Sequence, residues 1–331
     1  MTSCPRTVRE PWYSGPFCGD SALRERRKLL STSLTLRKRR RKEHITIIGF
    51  ILPAFLVYGT YVLYGIINTF YYSTLDWSGI GPASQAVQTG FANFSKLLKD
   101  GHFAHALGNN ILLVFVSLVF QLGFGMILAL IINSRARGTR FFRTVYFMPL
   151  LLSTVATGIL WQLMLDPYSG LFNGILNFIS PDQRLSWLGS EQVVMFAVLF
   201  VICWQYTPQY MILLRAGMTN VPDEIYEAAT IDGASKWQQF WRLTLPLLSG
   251  TIKTSAVLSI VGSMKYFDLI WIMTGGGPNG YSELMATYMY KKAFNQDQMG
   301  YASTIAGCMV IISLAVIIIF QTMTRSREDR N

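Results

Sequence analysis

The sequence predicts an all-α, polytopic membrane protein with six transmembrane helices. Three observations lead to this fold class: an apolar composition, six long apolar segments, and basic residues that cluster between those segments. Of the 331 residues, 51% are hydrophobic and 14% are charged, whereas about a quarter of the residues of a soluble protein are charged. The net charge of +11 would suit nucleic acid only if the basic residues covered a folded polar face, so we expect no nucleic-acid partner.

The six apolar segments are each long enough to cross a bilayer, whose core of about 30 Å needs about 20 helical residues. They cover residues 45–70, 111–132, 144–165, 192–214, 247–274 and 302–324. The fifth segment differs from the others because it contains Lys253, Lys265 and Asp268. Charges inside a span are costly, so we expect this helix to face protein or a water-filled cavity.

The orientation follows from lysine and arginine in the connections. These residues are concentrated before the first segment, where RKRRRK occupies 37–42, after the second and fourth segments, and in the C-terminal tail. The alternate connections, 73–106, 166–191 and 275–301, contain few of them. The positive-inside rule therefore predicts that both termini and the 215–246 connection are cytoplasmic.

The chain is expected to have three parts. Residues 1–43 form a basic cytoplasmic tail that is disordered by composition or, as the alternative, contacts anionic lipid. No apolar core precedes its basic run, so we expect no cleavable signal peptide. Residues 44–324 form the transmembrane domain, and residues 325–331 form a second cytoplasmic tail.

Neither a metal site nor a catalytic site is predicted. The four cysteines have no CxxC spacing, and His102 and His105 lack a third ligand nearby, which favours surface chemistry over a metal site. Asp268 is the only acid within an apolar segment, whereas a membrane-embedded enzyme would need paired carboxylates, a metal cluster or an activated nucleophile. A channel would need a filter loop or a charged ring, whereas GGGP at 275–278 lies outside the spans and lacks a repeated arrangement.

The connection after the fourth segment contains EAATIDGASKW (227–237), a polar helix–glycine–helix pattern. Pro222 suits the first turn of a helix, and Gly233 can take the left-handed conformation that ends it. Ser235 and Gln238 have the spacing of a capping box that starts a second helix. This hairpin is interpreted either as a loop packed on its own bundle or as a docking surface for a cytoplasmic partner.

The spacing within this hairpin resembles a known signature. EAA at 227–229, three further residues, Gly233, nine further residues and LTLP at 243–246 look like the EAA motif of ABC-importer permeases, most of which have Ile at the first LTLP position. The longer string EAATIDGASKWQQFWRLTLPLL resembles the sugar-type branch. MTGGGPNGYSELMATYMYKKAF (273–294) resembles the first-permease type of the maltose and multiple-sugar importers. The resemblance covers about residues 45–324.

The resemblance implies a type I ABC importer permease architecture in the cell membrane of a bacterium. It implies that the hairpin, 217–246, couples to a separate ATPase through Glu227, Ala228, Ala229, Asp232, Gly233, Leu245 and Pro246. The implied partners are a second homologous permease subunit, two ATPase subunits, an extracytoplasmic sugar-binding protein and membrane lipid. The chain has no G-x-x-x-x-G-K-[ST] phosphate loop, so we expect it to bind no cofactor and not to be an enzyme. ATP and Mg²⁺ would belong to the partner ATPase.

The implied function is that of a carbohydrate importer, and the residues of the fourth and fifth segments indicate a substrate pathway. A sugar needs hydroxyl and amide hydrogen bonds beside aromatic faces, and such groups share stripes on these two segments. The predicted pathway residues are Gln205, Tyr206, Gln209, Ser259, Gly262, Ser263 and Tyr266. Helix–helix hydrogen bonding is the alternative role for the polar ones. An ABC permease for a non-sugar solute is the alternative function, and a membrane channel is a further one.

Overall fold

The computed structural model describes residues 46–133, 138–180 and 184–325. The predicted N-terminal tail, 1–43, lies outside these residues, as does the C-terminal tail after Arg325. The chain divides into two units, of which the first ends at Ile66 and the second begins at Ile67.

The first unit contains most of helix α1, Thr46–Ser73, which has a π-helical turn at Gly59–Leu63. Every residue between Thr46 and Ile66 is exposed except Gly59, which is half-buried. A helix that is apolar on all sides suits a lipid environment or the surface of another transmembrane helix. This part of α1 therefore has the character of a membrane span.

The second unit contains the remaining helices and one short pair of strands. The strands β1 (Leu75–Asp76) and β2 (Val87–Gln88) are antiparallel, with Leu75 opposite Gln88. A 3₁₀ turn at Ala83–Gln85 lies between them. The helices are α2 (Ala92–Leu98), α3 (Gly101–Asn133), α4 (Thr139–Leu151), α5 (Thr154–Met164), α6 (Leu171–Ile179), α7 (Val194–Thr219), α8 (Asp223–Ile231), α9 (Lys236–Gln239), α10 (Ser249–Met264), α11 (Asp268–Met273), α12 (Met285–Tyr290) and α13 (Met299–Arg325).

Three of these helices contain or continue into a π-helical turn. The turns are Ser117–Gln121 inside α3, Phe240–Thr244 after α9, and Lys291–Asn295 after α12. A short helical turn, Leu245–Leu247, joins the second of them to α10.

The predicted all-α membrane fold is confirmed. Five helices of the described residues are long and apolar enough to cross a membrane: α1, α3, α7, α10 together with α11, and α13. The helices α4 and α5 make a sixth span if they cross the membrane as one broken helix.

The third predicted segment, 144–165, is not one straight helix. The axis turns by 99° between α4 and α5, because Leu152 and Ser153 have ψ angles of 141° and 137°, outside the helical region. Two signals for this break are present in the sequence: Pro149 in the last turn of α4, and Ser153, a residue type favoured immediately before a helix. Because the whole segment is apolar, hydropathy alone predicts one continuous span and gives no sign of the break.

The fifth predicted segment, 247–274, also contains a break. Helix α10 ends at Met264, and α11 begins at Asp268. Lys265 lies at the C-terminal end of α10, and Asp268 lies in the first turn of α11, which are the helix ends where the macrodipole favours each charge. The two charges flank a break in the helix, and this position explains how an apolar segment tolerates them.

Helix α7 is the buried centre of the packing. Its side chains Val198, Val201 and Ile202 are at most 2% exposed and pack in one cluster with residues of α3, α5 and α11. Helix α3 can approach α7 closely because Gly125 has no side chain: a Cβ at this position would lie 3.0 Å from Tyr210 Cβ. This packing places α3, α7 and α10 around one cavity.

Candidate functional site

Helices α8 and α9 form a hairpin whose turn is at Gly233. Helix α8 follows Pro222 and has two acids in its first turn, where the helix dipole favours negative charge. Gly233 has a φ angle of +80°, a conformation that residues with a Cβ rarely adopt. Ser235 Oγ accepts a hydrogen bond from Gln238 N at 3.3 Å, and Ser235 N donates to Gln238 Oε1 at 2.8 Å. The predicted capping box is therefore present.

Polar side chains on the inner face tie the two arms of the hairpin together. Gln239 is 4% exposed, and its Nε2 donates to Thr230 Oγ1 at 3.0 Å and to the Ala234 carbonyl at 3.1 Å. The hydroxyl oxygens of Tyr226 and Thr244 lie 3.2 Å apart. Sequence reasoning missed these residues because a buried glutamine between two capped helices leaves no periodic pattern.

The opposite face of α8 is exposed. Glu227 and Ala228 are exposed, and Ile231, one turn further along the same face, is 87% exposed. On α9 and the turn after it, Trp237 and Trp241 are also exposed. The hairpin thus presents an acidic and apolar surface that the described residues leave uncovered. The other predicted coupling residues are exposed (Asp232, Gly233, Pro246) or half-buried (Ala229, Leu245).

A cavity of about 380 Å³ lies between α3, α7, α10 and the break after α10. The structure brings six of the seven predicted pathway residues together around it: Tyr206, Gln209, Ser259, Gly262, Ser263 and Tyr266. Helix α3 adds three lining residues that sequence reasoning did not select: Leu113, Ser117 and Gln121. The lining is therefore mixed, with hydroxyls, amides and aromatic rings.

Gln205 is not among the residues that line the cavity. Its side chain is 2% exposed, and its Nε2 donates to the Leu152 carbonyl at 3.5 Å, at the bend between α4 and α5. Its Oε1 has no hydrogen-bond partner within the described ranges. The face of α7 that contains Tyr206 and Gln209 lines the cavity, and Gln205 lies on the neighbouring face of the helix.

The hydroxyls of the cavity differ in their hydrogen bonds. Ser263 Oγ donates to Ser117 Oγ at 3.1 Å, which ties α10 to α3. Ser259 Oγ and Tyr266 Oη are buried and have no hydrogen bond of ordinary geometry in the part of the chain that the structure describes. Their weaker interactions are with the hydroxyls of Tyr210 and Tyr206, respectively. The rings of Tyr266 and Tyr206 meet edge to face with centroids 5.8 Å apart. Because a buried hydroxyl without a partner is costly, these two groups are suited to a polar ligand or ordered water.

The cavity is charged where it reaches the break between α10 and α11. Lys265 and Asp268 both line it, and both are exposed. No ion pair joins these two side chains among the described residues. This end of the cavity is therefore accessible to water.

The loop after α11 is held against α3 by two buried asparagines. Asn109 Nδ2 donates to the Glu283 carbonyl at 2.9 Å. Asn110 Nδ2 donates to the Ser263 carbonyl at 2.9 Å, and its Oδ1 accepts from Met285 N at 2.8 Å. Asn110 thus links the cavity helix α10 to this loop. Sequence reasoning missed both residues, although adjacent amides inside an apolar helix are a signal for helix–helix hydrogen bonding.

The two histidines of α3 lie beside tyrosine rings. The centroid of His102 is 6.4 Å from that of Tyr288, and the centroid of His105 is 5.4 Å from that of Tyr281. Across residues 46–133, 138–180 and 184–325, no group of three or more His, Cys, Asp or Glu side chains is arranged to hold a metal ion.

Several known proteins align with most of this chain and over most of their own length. The probable ABC transporter permease protein YurN of Bacillus subtilis is 37% identical over 81% of this chain and 91% of its own length. The diacetylchitobiose uptake system permease protein NgcF of Streptomyces coelicolor is 32% identical, over 87% of this chain and 84% of its own. The trehalose/maltose transport system permease protein MalF of Thermococcus litoralis is 29% identical, over 84% and 93%.

A solved structure supports the fold, and a family model supports the membership. A chain from the crystal structure of a bacterial ABC transporter involved in the import of the acidic polysaccharide alginate superposes with a TM-score of 0.76 and 22% identity, over 86% of this chain and 96% of that one. Residues 121–329, more than half of the chain, match the model of the binding-protein-dependent transport system inner membrane component. As its EAA and TGGGP motifs predict, the chain belongs to this family of ABC-transporter permease proteins.

Proposed function

We propose that this chain is the membrane-spanning permease subunit of an ATP-driven carbohydrate importer and forms half of its translocation pathway. The observation that carries the proposal is the exposed EAA hairpin, a rigid helix–turn–helix whose outer face is left uncovered by the described residues. The names of the relatives support the substrate class, since NgcF is named for diacetylchitobiose and MalF for trehalose and maltose.

The hairpin is proposed to couple this chain to a separate ATPase. Glu227 is exposed on α8 and would form a charge-assisted contact with a basic residue of the ATPase. Ala228 and Ala229 would allow close approach, and Gly233 makes the turn that presents them. The hydrogen bonds of Gln239 hold both arms as one body, so movement of the docked ATPase would be transmitted to α7 and α10 as a rigid-body displacement.

The cavity is proposed to hold part of the transported sugar. The buried hydroxyls of Ser259 and Tyr266 would gain the hydrogen-bond partners that they lack among the described residues, and the Tyr206 ring offers an apolar face. Gln209 would supply an amide from α7, and Gly262 leaves room on α10. The second permease subunit would complete the cavity.

The remaining partners and the location follow from the same proposal. Two ATPase subunits would bind ATP and Mg²⁺, and an extracytoplasmic binding protein would deliver the sugar. The chain would lie in the bacterial cell membrane with both termini in the cytoplasm, as the lysine and arginine distribution favours.

The experiment that tests the coupling is co-purification of this chain with its ATPase subunit, together with sugar uptake by the assembled complex. We expect Glu227→Lys to weaken both by roughly tenfold or more, because it replaces an attractive charge pair with a repulsive one. Gly233→Pro should have the same effect, because proline cannot adopt the φ of +80°.

The matched control is Asp76→Lys, which makes the same charge change at an exposed residue in a different connection. It should leave partner binding and uptake at wild-type levels. If Glu227→Lys and Gly233→Pro both retained full partner binding and uptake, the coupling role of the hairpin would be excluded.

A further inference from the structure

Four aromatic rings in mutual contact lead from the cavity to the surface of the chain. The ring centroids of Phe267 and Trp271 are 5.5 Å apart with nearly parallel planes, and both rings contact Tyr290, at 5.3 and 4.6 Å. The centroid of Tyr290 is 4.8 Å from that of Phe294. These residues come from the α10–α11 break, from α11, and from the end of α12 with its π-helical turn. We call the four residues the aromatic track.

The track connects the cavity to the surface of the chain. Phe267, at one end, lines the cavity, and Phe294, at the other end, is 61% exposed. The two rings between them, Trp271 and Tyr290, are half-buried. By contrast, the core aromatic Trp161 is only 4% exposed. Rings whose only role is to fill the core would be expected to be buried in the same way.

The surroundings of the track are polar. Lys265 and Asp268 are exposed beside Phe267, and the exposed residues 295–297 (Asn, Gln and Asp) directly follow Phe294. Lys291, next to Tyr290, forms an ion pair with Glu283 at 2.7 Å. Charged and amide groups at this density do not face hydrocarbon, so the exposed edge of the track faces water or a polar partner.

Aromatic rings interleaved with charged and amide groups are the chemistry that recognises pyranose rings, whose apolar faces stack while their hydroxyls form hydrogen bonds. We propose that the aromatic track provides stacking subsites along which an oligosaccharide extends out of the cavity, from Phe267 past Tyr290 to Phe294. This inference rests on the proposed carbohydrate function and narrows its substrate class. This chain's share of the cavity, about 380 Å³, is at the small end of ligand pockets, which occupy about 300–1,000 Å³. The track would add contacts for the units of a sugar chain that extend beyond this share.

The test measures how uptake depends on the length of the sugar. The complete complex, with its second permease, ATPase and binding protein, is supplied with maltose, diacetylchitobiose and longer oligosaccharides of both series. The readout is the ratio of the uptake rate for a long oligosaccharide to that for the disaccharide of the same series, at saturating binding protein. A loss of assembled complex lowers both rates equally and leaves this ratio unchanged.

We expect Tyr290→Leu and Phe294→Ala each to lower this ratio roughly two- to tenfold, the range given by one aromatic contact. Tyr290→Phe, which retains the ring, should keep the wild-type ratio. The matched control Phe91→Ala removes a ring that is also highly exposed, at 79%, but lies in another connection, and it too should keep the ratio.

Three results would overturn the inference. Wild-type ratios in both Tyr290→Leu and Phe294→Ala would exclude the track while leaving the carbohydrate function intact. Efficient cross-linking of Phe294→Cys to the second permease in the resting complex would identify the track as a subunit contact. Wild-type uptake of a disaccharide without uptake of any longer oligosaccharide of its series would exclude the track and keep the carbohydrate function.

Discussion

At the scale of single residues, Asp100 joins three parts of the chain. Its side chain accepts hydrogen bonds from the hydroxyls of Tyr288 and Tyr301 at 2.5 and 2.6 Å and from the first backbone N–H groups of α3. Partial burial raises the pKa of Asp100, but these hydrogen bonds outweigh the burial and hold the pKa below its ordinary value. Lys96 and Lys292 lie over the tyrosine rings.

A depressed pKa makes the contribution of Asp100 to stability dependent on pH. The contribution is fully present above the pKa of the unfolded chain, about 3.9, and is lost as the pH falls through the lower pKa of the folded protein. We expect Asp100→Asn to lower the Tm of the purified protein at neutral pH, and the difference from wild type to shrink in acid. Asp76→Asn, at an exposed position, is the control. If the Tm difference between wild type and Asp100→Asn were the same at neutral and at acid pH, the lowered pKa of Asp100 would be contradicted.

The limits of sequence reasoning are also clearest at this scale. The capping box of Ser235 and the turn at Gly233 could be predicted because each depends on neighbours within a few residues. The bonds of Asp100 to Tyr288 and Tyr301 and those of Asn110 could not, because these partners lie more than 150 positions away in the sequence. The i, i+4 spacing of Ser259 and Ser263 predicted correctly that both lie on one helix face at the cavity. Gln205 has the same spacing to Gln209 but does not line the cavity, so the spacing alone does not decide which of two adjacent faces borders it.

At the scale of elements, the spans were predicted well and their breaks were not. Hydropathy locates an apolar segment because desolvation sums over about 20 residues, whereas the breaks at Ser153 and Lys265 depend on single residues. Both breaks border functional candidates. Gln205 contacts the first at the Leu152 carbonyl, and the second provides the charged end of the cavity.

The contact between α5 and α11 gives a test of how closely the second break is packed. A Cβ at Gly158 would lie 2.6 Å from Ile272 Cγ2, so a larger side chain must push α11 away from α5. We expect Gly158→Leu to destabilise the protein by about 1–3 kcal/mol, the usual cost of overpacking, measured as a lower Tm in detergent. The matched control is Gly123→Leu, because a Cβ at Gly123 on α3 meets nothing within 4 Å. An unchanged Tm for Gly158→Leu would show that α11 is free to move.

At the scale of the whole molecule, the hairpin and the cavity are linked by the helices that enter and leave the hairpin. Helix α7 leads into α8 and lines the cavity with Tyr206 and Gln209, and α10 follows α9 and lines it with Ser259 and Ser263. Gly217 on α7 lets these helices approach closely beside the hairpin, since a Cβ there would lie 2.6 Å from Thr251 Oγ1. A displacement of the hairpin would therefore reach both polar walls of the cavity without a further intermediary.

The proposed coupling to an ATPase requires the hairpin to face the cytoplasm, where ATP is available. The aromatic track would then face the opposite side. The lysine and arginine distribution predicts this orientation. One predicted span, 247–274, separates the hairpin from the 275–301 connection, so the two lie on opposite sides of the membrane. We expect a fluorescent protein fused after Asn331 to fluoresce. Alkaline phosphatase folds only after export, so we expect phosphatase activity when this enzyme is inserted in 275–301 and none when it is inserted in 215–246. The two insertions are controls for each other, since they differ only in the side on which the reporter lies. Export of the reporter from 215–246 would show the opposite topology and would place Glu227 on the side of the membrane where the proposed ATPase could not contact it.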